Sequence, residues 1–181
     1  MAQVTPQDIL DFWFADSTQA HWFVRSDALD QQIRECFGAV YEQAVAGALE
    51  DWKDNAKSAL ALTIIFDQFP RNMFRGSPKA FATDVLACAL SKYALEHGYD
   101  QFVDEKARQF FYLPLMHSEV LADQEQSVQL YKGLGNDLAL DFAKEHRDIV
   151  EKFGRFPHRN AVLGRKNTPE ETEFLKTHKG F

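Results

Sequence analysis

Two short stretches of this 181-residue chain hold the side-chain types that anion binding or acid–base chemistry requires. The first, FDQFPRN over residues 66–72, places Asp67 four residues before Arg71, with Asn72 and Arg75 close behind. The second, FGRFPHRN over residues 153–160, repeats the order of aromatic, proline and Arg-Asn. It holds Arg155, His158, Arg159 and Asn160, and Arg165 follows. Residues 68–83 contain no acid, and neither do residues 152–167, although acids outnumber bases 27 to 20. Arginine presents a planar fork that matches carboxylate and phosphate oxygens. If the two basic turns meet, they predict a pocket for a small anion, lined by Arg71, Asn72, Arg75, His146, Arg155, Arg159, Asn160 and Arg165, or a clasp on Asp67 and Glu119. The competing reading is structural: arginines after a helix cap its last carbonyls, where the dipole favours a cation.

The remaining ionisable groups sharpen this choice. Asp67 falls near the C-terminal end of an apolar helical run, where the dipole disfavours an acid and burial requires a partner. Arg71, Arg75 and Arg159 are the candidates, and the same carboxylate is also a candidate catalytic group. His117 and Glu119, in YLPLMHSEV, are two apart and do not share a helix face. Pro114 suggests a helix start there, with Ser118 as cap and Glu119 in the first turn. His146 lies on an apolar stripe between Phe142 and Val150, as a core histidine bonded to a carbonyl or carboxylate, or as a site histidine. Taken catalytically, His117 or His158 would be the acid/base, Glu119 or Asp67 would orient it, and an arginine would stabilise developing negative charge. No nucleophilic Ser or Cys is evident, so water would attack. Neither His-x-x-x-His nor Glu-x-x-His occurs, and no metal is expected. No cofactor is expected either. GLGNDL at Gly133 lacks the third glycine and the preceding strand of a dinucleotide fingerprint, and no phosphate loop, nucleophile elbow or haem-attachment motif is found.

Helices must position these groups. Thr5-Pro6-Gln7-Asp8 is a helix start that carries Ile9, Leu10, Trp13 and Phe14. Ser26 caps a long helix ending near Gly47. NAKSALALTIIFDQF is apolar nearly all round and hence central, and Pro70 and Gly76 bracket the turn after it. Ser77-Pro78 starts a fourth helix, closed by Gly98. DEKARQFFYL is a fifth, broken before Pro114. Residues 117–133 and 136–153 form two more, the latter stopped at Gly154. TPEETEFLKTHKG is the last, with a Thr168/Glu171 capping box. No alternating strand is seen. The prediction is one all-α domain over residues 1–181, with seven or eight helices stacked as antiparallel hairpins. A strict 34-residue repeat is not visible.

Composition bounds the function. The net charge of −7 and pI of about 5.3 disfavour general binding to nucleic acid or an anionic membrane. Cys36 and Cys88 sit in amphipathic segments and read as buried, reduced thiols. MAQVTPQDILDFWF has neither a basic nor an apolar leader region, which predicts a cytoplasmic protein without a membrane partner. Trp13, Phe14, Trp22 and Phe23 read as core, with a pocket mouth as the alternative.

ILDFWF, Trp22-Phe23, IIFDQFPRNMFRG, FYLPLMHSE, FGRFPHRN, LGR and TPEE occur in this order over residues 5–176. In this series the chain resembles the bacterial family called domain of unknown function 924. The resemblance implies an all-helical, tetratricopeptide-like protein, although the standard repeat consensus is missing. IIFDQF departs from the more usual LLDQF and keeps an apolar residue. The family's motif residues fall here on Asp67, Gln68, Arg71, Asn72, Arg75, Pro114, His117, Glu119, Arg155, His158, Arg159, Asn160 and Arg165. The family carries no reaction across. Three expectations therefore stand: a protein that binds a small anion, a hydrolase, and a scaffold for a protein partner.

Overall fold

The computed structural model describes residues 3–181. Among them are nine α-helices, four 3-10 turns and no strand, so the fold is all-α. The described contacts divide into two compact units, one of residues up to Arg75 with Lys79–Pro114, the other of Gly76–Pro78 with Leu115–Phe181.

The first unit is built on α4 (Ala56–Met73), in which every residue from Ser58 to Pro70 is buried. A helix apolar on all sides needs neighbours on all sides. α1 (Pro6–Trp13), α3 (Asp27–Val45), α5 (Asp84–Glu96) and the 3-10 turn Glu50–Asp54 pack against it. Thr5 caps α1 through a capping box and Ser26 caps α3, both as the sequence suggests. The short α2 (Asp16–Gln19) leads into an aromatic cluster. Trp13, Phe14 and Trp22 surround Phe110, with centroids 5.6, 5.6 and 4.7 Å from it. Phe23 does not join this core and is 71% exposed. Cys88 is buried, but Cys36 lies on the outer side of α3 and is exposed.

Two prolines do not end their helices. α4 continues through Pro70 to Met73, and α6 (Glu105–Met116) continues through Pro114. Pro70 cannot donate to the Phe66 carbonyl one turn back. The Thr83 hydroxyl donates to that carbonyl instead, at 2.6 Å, and the hydrogen-bond deficit disappears. Pro114 likewise withholds a donor from the Phe110 carbonyl, and α6 runs only two residues beyond it. The Ser77-Pro78 start predicted for the next helix proves to be a 3-10 turn, Pro78–Phe81, and α5 begins only at Asp84.

In the second unit, α7 (Leu121–Leu134) and α8 (Asp137–Phe153) form a helical hairpin. Gly135 closes α7 with φ +75, a left-handed conformation that favours glycine, and Asn136 caps α8. α7 begins after Val120, later than Pro114 suggests. Ile149 and Val150 of α8 bury against Phe156, with Phe153 and Phe174 around them. α9 (Pro169–Phe174) has the predicted capping box but stops well before Gly180.

Candidate functional site

The Phe66–Asn72 motif places its charges in the last turns of α4. Asp67 is 1% exposed, and Arg71 Nη1 stands 3.3 Å from its Oδ1. Arg71 also holds Asp84 at two points, 2.9 and 3.1 Å, and donates to the Asp67 carbonyl. Burial works against the charge on Arg71, but Asp67 and Asp84 outweigh it and keep the guanidinium firmly protonated. Arg75 grips Asp30 of α3 at 2.7 and 2.9 Å. Asn72 donates to the Gln68 carbonyl and accepts from Arg75. The partner expected for buried Asp67 is therefore present. A further contact, unforeseen in the sequence, caps the end of α4: Arg34 donates to the Met73 carbonyl at 3.0 Å from Nη2.

The second unit holds the other motif. Gly154 leaves α8 with φ 68, and the chain turns through Arg155 and Phe156 into the 3-10 turn Pro157–Arg159. Arg155 pairs with Glu171 at 2.6 and 2.8 Å, and Glu171 also takes the Thr168 amide and the Asn160 side chain. These contacts, Arg155 first, hold the Glu171 carboxyl down to about 2. Arg165 pairs with Glu119 at 2.7 and 2.9 Å, and the Phe156 amide donates to Glu119 at 2.8 Å. Burial opposes the charge on Glu119, yet Arg165 and that amide hold its carboxyl below the ordinary range. The clasp on Glu119 is thus built by the Arg165 bend.

Phe156, fully buried, is the hub for the histidines. His146 meets its ring edge-on at 5.5 Å, His158 lies 5.5 Å away, and the Arg159 guanidinium stands 4.5 Å above it. His117, in the turn after α6, has its ring 6.4 Å from His146. His146 is 5% exposed, with Nδ1 2.8 Å from the Phe142 carbonyl. A carbonyl only accepts, so Nδ1 carries the proton and the Nε2 lone pair is left. Burial first, then the neighbouring His117 and Arg159, push His146 down to about 3. Burial and Arg159 push His158 down to about 4. Both rings are neutral at pH 7. His158 Nδ1 is buried without a hydrogen-bond partner among the described residues.

The site residues read from the sequence therefore fall into two kinds. Arg71, Arg75, Arg155 and Arg165 are each engaged by a carboxylate, and Asp67 and Glu119 are among those carboxylates. His146, His158 and Arg159 stand against the Phe156 ring, and His117 lies next to His146. His178, in the segment after α9, adds a fourth imidazole, which contributes to the lowered affinity of His158 for a proton. Its place among the histidines carried no signal in the sequence, where it looked like part of the last helix. Among the described residues, no group of three His, Cys, Asp or Glu side chains stands ready to hold a metal ion. No helix among them is long and apolar enough to cross a membrane.

A known protein repeats this architecture. A solved structure of a protein of unknown function from Agrobacterium tumefaciens is 44% identical, superposes with a TM-score of 0.91, and the match covers 96% of this chain and 97% of that one. Among curated proteins none matches. The motif series that carries Asp67, Glu119 and His158 lies within residues 9–179, the span matched by the family described as bacterial protein of unknown function (DUF924), and the chain belongs to that family.

Proposed function

We propose that this chain binds a small anionic molecule, a carboxylate or phosphate ester, at the imidazoles of His117, His146 and His158 beside Arg159. The observation that carries the reading is His158 Nδ1, a buried polar atom without a hydrogen bond among the described residues and in a positive local field. Such an atom is costly to leave unsatisfied. An arriving oxyanion removes the cost, because the imidazole can take up a proton and donate to it. Binding would then raise the proton affinity of His158 and be accompanied by proton uptake.

A hydrolase has less support. A general base works best with a proton affinity matched to neutral pH, whereas His158, one of the two imidazoles offered for that role, lies at about 4. Glu119 and Asp67, the groups that would orient a catalytic imidazole, are occupied with Arg165 and Arg71.

Histidine ring-proton NMR during titration with inorganic phosphate and with acetate tests the proposal. Saturable movement of the His146 and His158 signals is expected, and its loss in His158→Gln. Signals that stay in place up to about 10 mM of either anion, well above a Kd near 1 mM, would refute it.

A further inference from the structure

Residues 178–181 lie directly on the imidazole cluster. The Phe181 ring stacks on His146 with centroids 3.6 Å apart and planes 17° from parallel. Its edges meet His158 at 5.8 Å and His178 at 5.0 Å. One face of His146 is thus covered by a flat aromatic ring. Yet Phe181 is itself 55% exposed, so its other side faces water.

Little besides ring contact holds this cover in place. Among the described residues, residues 179–181 make no backbone hydrogen bond to backbone, and the Gly180 amide reaches only His178 Nδ1, at 3.3 Å. His178 anchors the base of the segment through Glu145 at 3.1 Å and by stacking on Phe174. Gly180 presses its backbone against His158. With φ +110, a Cβ there would stand 3.1 Å from His158 Cγ, so this approach admits only glycine without strain. The backbone at Gly180 therefore lies against the imidazole that has the unsatisfied nitrogen.

From this geometry we infer that Phe181 occupies the place of a planar ring in the ligand, so that the site takes an aromatic anion, an aryl carboxylate or aryl phosphate, and residues 178–181 move aside when it binds. The inference rests on the anion-binding reading and adds the ring and the moving cover. A neutral imidazole face is a suitable stacking partner for any flat π-system. A site closed by its own side chain binds more weakly, in proportion to the fraction of time it is open.

The test uses the full chain and two probes, phenyl phosphate and inorganic phosphate, followed by calorimetry and histidine ring-proton NMR. Three proteins are compared: wild type, Phe181→Ala, and Gly180→Val, which displaces the segment through His158 and leaves Phe181 in the sequence. Phenyl phosphate is expected to bind more tightly than inorganic phosphate in all three. Both variants are expected to gain about three- to tenfold in phenyl phosphate affinity, the weight of one ring–ring contact. Unchanged or weakened phenyl phosphate binding in both variants would overturn the moving cover. Inorganic phosphate binding as tightly as phenyl phosphate would overturn the aromatic ligand and leave anion binding standing. If neither probe moves the histidine signals in any of the proteins, anion binding itself falls.

Discussion

Arg165 and Glu119 face each other fork to fork, Nη1 to Oε2 at 2.7 Å and Nη2 to Oε1 at 2.9 Å, and Arg165 also donates to the Phe156 carbonyl at 3.1 Å. The pair ties the turn that carries Phe156 to the segment before α7. Both side chains are about a quarter exposed, which moderates their worth. Arg165→Met is expected to lower the stability of the chain by about 1–3 kcal/mol. Urea denaturation at pH 7 measures this, and an unchanged midpoint would count against the lock.

Arg71 serves two carboxylates, and its removal leaves both without their shared counter-charge. Arg71→Met should cost about 2–4 kcal/mol, since charged groups left in a buried place are among the most expensive defects. Pairing it with Asp84→Asn should recover part of that loss. A double variant no more stable than the single one would show that the Asp84 contact adds nothing.

Thr83 and Pro70 form a compensated pair through the Phe66 carbonyl. Thr83→Val should cost about 1–2 kcal/mol while Pro70 is present. In a Pro70→Ala background the helix regains its own donor, and the same change should cost clearly less. The double-mutant cycle isolates this coupling from the separate effect of proline on the unfolded chain. Additive costs would mean that Thr83 does not stand in for the missing amide.

Acid should weaken the fold through the histidines before it does so through carboxylates. His146 and His158 have proton affinities depressed to about 3 and about 4, against about 6.5 in an unfolded chain. Below about pH 6.5 the unfolded chain binds more protons than the native one, so stability falls with pH, by at most about 1.4 kcal/mol per pH unit for each ring. The groups around them are His117, Arg159, His178, Arg165 and Glu119, of which Glu119 alone favours the charged form of His158. Glu171 adds its own loss only below its ordinary value of 4.5, as pH falls toward about 2. Denaturation midpoints between pH 7 and 5 should therefore decline in the wild type and decline less in His146→Gln. Equal slopes would rule out His146 as the cause.

The helices themselves were legible in the sequence because their signals are local. Thr5, Ser26 and Thr168 cap where their spacing to the next backbone amides says they should. The demand that buried Asp67 find a guanidinium was legible too, because desolvated charge needs a partner wherever the chain goes. α4 and α6 run past Pro70 and Pro114, where the sequence suggests ends, and the group that relieves Pro70 is a hydroxyl 13 residues further on, at Thr83. Which acid each arginine takes was legible only in part. Arg71 to Asp67 is one helical turn, but Arg75 to Asp30 and Arg165 to Glu119 span 45 and 46 residues, and no local pattern encodes them. Phe181 over His146 is of the same long-range kind.

The division of aromatic residues has a practical consequence. Trp13, Trp22 and Trp52 all belong to the first unit, and the second has no indole. Intrinsic fluorescence therefore watches one unit only, while the ring protons of His117, His146, His158 and His178 watch the other. Melting curves recorded by the two signals on one sample would coincide for a chain that unfolds as a single cooperative body, and would separate for one whose halves let go in turn.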